Sequence, residues 1–73
     1  MDLLQKYKSV RDLVEKHKVA RIAVIIEKGI LNIHAIVDSQ QNKDKIFEEI
    51  KRINGNNHMD INADIKVANV PII

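Results

Sequence analysis

The stretch that decides the fold is residues 21–37, RIAVIIEKGILNIHAIV, in which two apolar runs flank Lys28 and Gly29. This pattern predicts a β-hairpin with a two-residue turn at Lys28-Gly29. Such a turn sets apolar residues opposite each other in three pairs: Ile26 with Leu31, Val24 with Ile33, and Ile22 with Ala35. The alternate pairs are mixed: Ile25 with Asn32, Ala23 with His34, and Arg21 with Ile36. A slip of one residue would set apolar against polar side chains throughout, so the pattern favours this register.

Length and composition predict one small domain. The chain has 73 residues, no cysteine, 12 basic and 10 acidic residues, and a net charge of +2. A chain of this size buries only about 60% of its unfolded surface, and no disulfide or thiolate metal site can compensate. The charge is too weak to indicate nucleic-acid or membrane binding. We expect a single domain over residues 1–73, with a core over about 3–67 and an apolar tail at 68–73.

The N-terminal residues bear on localisation. The first ten residues carry Asp2, Gln5, Lys6 and Lys8, and they lack the apolar segment of a signal peptide. The longest apolar run, residues 22–26, is far too short to span a bilayer. The sequence as it stands therefore predicts a cytoplasmic protein. A periplasmic or envelope location is the alternative if the chain comes from an exported precursor.

A first helix is predicted over about residues 3–17. Apolar and aromatic positions recur there at spacings of four and three: Leu3, Tyr7, Val10, Val14 and His17. Asp2 followed by Gln5 is typical of a helix start. The face of this helix away from the apolar stripe carries pairs of acidic and basic residues four positions apart, which indicates that it is exposed to solvent. Its basic residues scatter around the axis, so they form no stripe for phosphate.

A second helix and a third strand follow the hairpin. Asp38 and Ser39 are typical N-cap residues, and the helix over about 40–53 carries an apolar stripe of Ile46, Phe47, Ile50 and Ile53. Asn54-Gly55 predicts its end, with Gly55 in a left-handed conformation. Residues 59–67 then alternate apolar and polar side chains, which predicts a half-buried strand.

The predicted fold class is α+β, with the order α-β-β-α-β and a three-stranded sheet that has two helices packed on one face. The other sheet face would then be open to solvent. It would display Arg21, Ala23, Ile25, Glu27, Asn32, His34, Ile36, Asp60, Asn62, Asp64 and Lys66. We take this open face as the candidate binding surface, with Arg21, Ile25, Asn32, His34, Ile36 and Lys66 as its candidate contact residues.

Catalytic and metal chemistry find little support in the sequence. Neither Ser9 nor Ser39 lies in a nucleophile elbow, and Ser39 is better explained as a helix cap. The two glycines cannot form a phosphate loop. The three histidines, His17, His34 and His58, have no metal-ligand spacing. We expect no enzymatic activity, no cofactor and no metal site.

RNA binding is an alternative because the element order is close to that of type II KH domains. Those domains grip nucleotides through a GXXG loop. Gly29 and Gly55 lie too far apart for such a loop. The two aromatic residues, Tyr7 and Phe47, both fall on predicted core stripes and leave no platform for base stacking. These features argue against a nucleic-acid partner.

Residues 29–39, GILNIHAIVDS, resemble the signature of the BON domain (bacterial OsmY and nodulation), which runs Gly-Val-Val-Thr-Leu-Ser-Gly-Thr-Val-Asp-Ser. Matching positions are Gly29, Ile33, Val37, Asp38 and Ser39, and Gly55 follows the helix as in that family. The resemblance covers about residues 3–67. Departures are His34-Ala35 in place of Ser-Gly, and a longer linker before the last strand.

The resemblance implies a bacterial, non-enzymatic binding module. BON domains are mostly envelope proteins proposed to bind phospholipid or other macromolecules. We expect contact with a protein partner through the open sheet face or a strand edge, with a phospholipid surface as the alternative. Dispersed basic residues favour protein, because binding to anionic lipid gathers them on one side. The ring-building domains of secretion and sporulation machines share this element order, and they would imply self-association.

Overall fold

The described part of the chain folds as three helices and a three-stranded mixed sheet. The computed structural model describes residues 2–20, 23–55 and 60–68. Its elements are α1 (Leu3–Lys6), α2 (Lys8–His17), β1 (Ala23–Glu27), β2 (Ile30–Val37), α3 (Gln40–Asn54) and β3 (Ile61–Val67). The predicted α+β class and the order α-β-β-α-β are confirmed. No helix of the described segments is long and apolar enough to cross a membrane.

The hairpin has the predicted register. Ala23 pairs with His34, Val24 with Ile33, Ile25 with Asn32, and Ile26 with Leu31. The turn residues Lys28 and Gly29 have φ values of 53° and 75°. Positive φ at both positions is the mark of a type I′ turn, whose twist matches that of the flanking strands. The predicted pairs of Arg21 and Ile22 lie outside the described residues.

The central strand is β2. It pairs antiparallel with β1 and parallel with β3, giving the order β1-β2-β3. Parallel pairing requires a crossover, and α3 supplies it. The segment after α2 also approaches β2, with Val19 N–H donating to the Ile36 carbonyl at 2.8 Å. Within the described sheet, β1 and β3 therefore each have one free edge.

The first predicted helix is interrupted at Tyr7. This residue has φ −107° and ψ 25° and separates α1 from α2. Hydrogen bonds of the α-helical type still cross the interruption, from Tyr7 N–H to the Leu3 carbonyl and from Arg11 N–H to the Tyr7 carbonyl. The side chain of Asp2 caps α1 by accepting from the Gln5 N–H at 2.9 Å, as predicted.

Of the two predicted N-cap residues, Ser39 caps α3, and Asp38 bonds instead to a side chain in the first turn. Ser39 Oγ accepts from the Asn42 N–H at 3.2 Å, and Asp38 Oδ1 accepts from Asn42 Nδ2 at 2.6 Å. Gly55 ends the helix with φ 61° and ψ −123°. The positive φ confirms the need for glycine there, although ψ differs from that of a left-handed helix.

The core lies between the helices and one face of the sheet, as predicted. Its buried residues come from every layer: Tyr7, Val10, Val14, Leu31, Ile33, Ala35, Val37, Ile46, Ile50, Ile61 and Ile65. Those of β2 and β3 alternate along each strand, so the polar residues between them point to the open face. Among the described residues, no helix packs on the other face of the sheet.

Two apolar residues expected in the core are partly exposed. Ile26 lies on the helix side of β1 but is 47% exposed, and Phe47 on α3 is 39% exposed. Both lie toward the margins of the sheet, Ile26 on β1 and Phe47 beside β3. The helices pack mainly against β2 and β3, which leaves Ile26 on β1 partly uncovered.

The prediction that Asp60 belongs to the open face is wrong. Its side chain contacts Lys6 and Tyr7, on the helix side. The reason is that β3 begins at Ile61, so Asp60 lies in the preceding turn and does not follow the strand's alternation. His58, Met59 and the apolar tail from residue 69 fall outside the described segments.

Candidate functional site: the open sheet face

The candidate site is built from matched positions on neighbouring strands. Asn32, His34 and Ile36 of β2 lie beside Asn62, Asp64 and Lys66 of β3, pair by pair. On the other side of β2, Ile25 of β1 lies beside Asn32. Because facing residues in register share a sheet face, these side chains form one continuous surface.

Hydrogen bonds join two of these pairs across the strands. Asn62 Nδ2 donates to Asn32 Oδ1 at 3.2 Å. His34 Nδ1 lies 3.3 Å from Asp64 Oδ2, and each side chain is 49% exposed. The pair is thus open to solvent and available to a ligand. The carboxylate orients the imidazole but does not remove it from water.

A shallow depression lies at the end of this surface near the end of β3. It has a volume of about 240 Å³ and is lined by His34, Ala35, Ile36, Asp64 and Lys66. Its lining combines an apolar side chain with groups of both charges. Such a mixture suits a protein surface better than a purely apolar ligand.

The charge of the open face is close to balanced. Lys66 is the one cation on the described part of the face, where Glu27 and Asp64 carry negative charge. Arg21, which was predicted to belong to this face, lies outside the described residues. The face has no Phe, Tyr or Trp side chain, since the single tyrosine is buried and the single phenylalanine is on α3, so the imidazole of His34 is its one described aromatic ring.

The other residues singled out from the family signature shape the chain locally. Gly29 forms the hairpin turn, Gly55 ends α3, and Ser39 caps its start. Asp38 donates its backbone N–H to the His17 carbonyl at 3.1 Å, which ties the start of α3 to the end of α2. The structure does not gather these residues into one site. These residues match the signature at positions that form a turn or lie at a helix end.

A polar cluster that the sequence did not predict joins α1, α3 and the start of β3. Tyr7 is fully buried, and its hydroxyl donates to Asp60 Oδ1 and accepts from Asn54 Nδ2 at 2.9 Å. Lys6 Nζ pairs with the other Asp60 oxygen at 2.5 Å. The only signal in the sequence was that a tyrosine on a core stripe needs a partner for its hydroxyl.

The electrostatics of this cluster follow from burial and charge. Burial, followed by the hydrogen bond to Asp60, raises the pKa of Tyr7 above its usual value. The hydrogen bonds from Lys6 and Tyr7 hold the pKa of Asp60 below its usual range. Tyr7 therefore stays protonated and Asp60 ionised at neutral pH. This arrangement fixes the packing of α1 and provides no base poised near pH 7.

A second contact joins α2 to α3 through Glu49. This carboxylate accepts from Ser9 Oγ and from Arg52, which lower the pKa of Glu49 to about 2, with Arg52 the larger cause. A carboxylate with so low a pKa is a weak base, so it does not activate the Ser9 hydroxyl as a nucleophile. Across the described segments, no group of three or more His, Asp or Glu side chains is placed to hold a metal ion.

An apolar groove follows the free edge of β3. It has a volume of about 310 Å³ and is lined by Phe47 and Ile50 of α3 and by residues 61–63 of β3. The partly exposed ring of Phe47 forms one wall. Most of its lining lies on the helix side of the sheet, and Asn62 is the lining residue that it shares with the open face.

Comparison with protein-family models, with curated proteins and with solved structures gives no match for this chain. The resemblance to BON domains therefore stays a prediction from the residues of the hairpin and the following cap.

Proposed function

We propose that the protein is a non-enzymatic, BON-like binding module that contacts a protein partner through its open sheet face. The observation that carries the proposal is the composition of that face. Ile25 is 52% exposed and Ile36 half-buried, beside the polar pairs of β2 and β3. Apolar contacts with a polar rim are the usual build of a protein interface.

The charge distribution favours protein over an anionic membrane. Each basic residue near such a membrane contributes about 1 kcal/mol to binding, so membrane-binding surfaces gather several. The described part of this face carries Lys66 alone, with Glu27 and Asp64 opposing it. A single cation beside two carboxylates suits one specific contact with a carboxylate or carbonyl of a protein partner.

The composition of the face also favours protein over RNA. Proteins that bind single-stranded RNA stack bases on aromatic side chains and follow the backbone with cations. Here the face has no Phe, Tyr or Trp, His34 is its one described aromatic ring, and Lys66 is its one described cation. One imidazole and one cation provide neither a platform for successive bases nor a path of positive charge for the backbone, which argues against the KH-like alternative.

A matched pair of charge reversals tests the proposal. Lys66→Glu changes the open face, whereas Lys45→Glu makes the same change on the exposed side of α3. Each protein is immobilised and incubated with an extract of the source organism, and retained proteins are identified by mass spectrometry. We expect a protein that the wild type and Lys45→Glu both retain and that Lys66→Glu loses.

Two further arms separate the alternatives. Vesicles of phosphatidylcholine and phosphatidylglycerol test the membrane alternative, and poly(U) at low salt tests RNA. If the wild type retains the vesicles or the RNA and Lys66→Glu does not, that ligand, and not a protein, is the partner of the open face. If no retained protein distinguishes Lys66→Glu from Lys45→Glu, the open face is not the binding surface.

A further inference from the structure

The free edge of β1 carries backbone groups that the sheet does not use. In a hairpin with a two-residue turn, the residues flanking the turn form a hydrogen-bonded pair, here Glu27 with Ile30. Alternation then directs the N–H and C=O of Ile25 toward β2, and those of Val24 and Ile26 away from it. Val24 and Ile26 are therefore ready to pair with another strand.

The side chains of β1 are exposed on both faces of the sheet. Ile25 is 52% exposed on the open face, and Ile26 is 47% exposed on the helix side. Edge strands of native sheets are commonly protected by charges, proline or bulges. The centre of β1, residues 24–26, has none of these.

The opposite edge of the sheet differs in each respect. On β3, Ile61 and Ile65 are buried against the helices, Ala63 and Val67 are partly buried, and polar residues alternate with them on the other face. Asp64 and Lys66 place charges along that edge. The described part of β3 thus carries charges that the centre of β1 lacks, and β1 is the edge that is open to pairing with another strand.

We propose that β1 pairs antiparallel with β1 of a second copy of the chain, across a two-fold axis at Ile25. In this register Ile25 faces Ile25 of the other copy, and Val24 faces Ile26 on the helix side. Glu27 falls opposite Ala23, so no like charges meet. It is the one register that pairs all five residues of β1, and it uses the free backbone groups of both Val24 and Ile26.

The self-complementarity of the strand is the argument for a second copy of this chain as the occupant. An isologous contact needs one patch that matches itself under two-fold rotation, and a short apolar strand without a central charge satisfies this. The two sheets would join into one of six strands. Because the axis is perpendicular to the sheet, all helices would lie on one side, and the two open faces would form one continuous surface.

This inference goes beyond the proposed function and is tested separately from it. Ile26→Lys introduces a charge on the helix side of β1 without touching the open face, and Phe47→Lys does the same beside β3 as a matched control. Sedimentation equilibrium over a concentration series gives the dissociation constant. Circular dichroism of each variant verifies folding.

Amide hydrogen exchange of the wild type adds a readout that needs no substitution. The Ile25 amide bonds to β2 and should be protected at every concentration. The Val24 and Ile26 amides should become protected only as the concentration rises, with at least a tenfold slowing at saturation.

The proposal predicts a mass approaching twice 8.4 kDa at high concentration. Ile26→Lys should raise the dissociation constant by at least about tenfold, which corresponds to 1.4 kcal/mol. Phe47→Lys and Lys66→Glu should leave it unchanged. A strict monomer, a dimer that Ile26→Lys does not weaken, or open-ended assemblies that Phe47→Lys disrupts would each overturn the proposal. If the capture experiment finds no partner that depends on Lys66, the proposed function fails, but the proposal of a dimer through β1 still stands.

Discussion

Removing the Tyr7 hydroxyl tests how the cluster of Lys6, Tyr7, Asn54 and Asp60 holds the fold. Tyr7→Phe keeps the buried ring and deletes only the group that donates to Asp60 and accepts from Asn54. We expect a clear loss of stability without a change of fold. The ring continues to fill its place between α1 and the sheet.

The magnitude follows from the exposure of the partners. A hydrogen bond to a charged group contributes about 1.5–3 kcal/mol. The Asp60 side chain is 29% exposed, so water replaces part of the lost contact and the lower end applies. The amide of Asn54 also loses its acceptor. We therefore expect Tyr7→Phe to lower the free energy of unfolding by about 2 kcal/mol, out of roughly 4–11 kcal/mol for a domain of this length.

Urea denaturation followed by circular dichroism measures the effect, combined with Asp60→Asn in a double-mutant cycle. We expect a coupling free energy of about 1 kcal/mol between the two substitutions, because they share one hydrogen bond. The matched control is Asp64→Asn, which changes an exposed carboxylate on the open face. Its effect should be additive with Tyr7→Phe. A loss below about 0.5 kcal/mol in Tyr7→Phe, or additivity with Asp60→Asn, would refute the reasoning.

Four further substitutions test local features of the fold. Glu49→Gln should remove stabilisation that is present above pH 4.5 and is lost as pH falls toward about 2, the pKa of Glu49 in the folded protein. Its unfolding free energy at neutral pH should be about 1 kcal/mol lower than that of the control Glu48→Gln, and a denaturation series from pH 7 to 2 that gave parallel curves would contradict this. Lys28→Asn should stabilise the hairpin by about 0.5 kcal/mol, whereas Gly29→Ala should destabilise it by about 1 kcal/mol, because both positions have positive φ. Equal midpoints in urea for these two variants would count against the type I′ turn. Ser39→Ala should lower stability by about 1 kcal/mol through loss of the cap on α3, and an unchanged thermal midpoint would show that the cap contributes nothing.

The parts of the fold that could be predicted from the sequence depend on local spacing. The hairpin register follows from a two-residue turn and the alternation around Lys28-Gly29. The caps at Asp2 and Ser39 likewise depend on neighbours three residues away. Such features need no knowledge of strand order.

The parts that the sequence missed depend on contacts between distant segments. The exposure of Phe47 and Ile26 follows from β3 and β1 being the outer strands, which no local pattern encodes. The link between Tyr7 and Asp60 joins residues far apart in the chain, and it required β3 to begin one residue after Asp60. The open face could be predicted because alternation alone assigns its side chains.

The most direct test of the proposed binding surface is a map of amide chemical-shift changes in the labelled protein as the partner isolated by the capture experiment is added. We predict that the changes concentrate at Ile25, Asn32, His34, Ile36 and Lys66, on the side of the sheet opposite the helices. Changes centred on α2 and α3, or on the groove beside Phe47, would contradict the account.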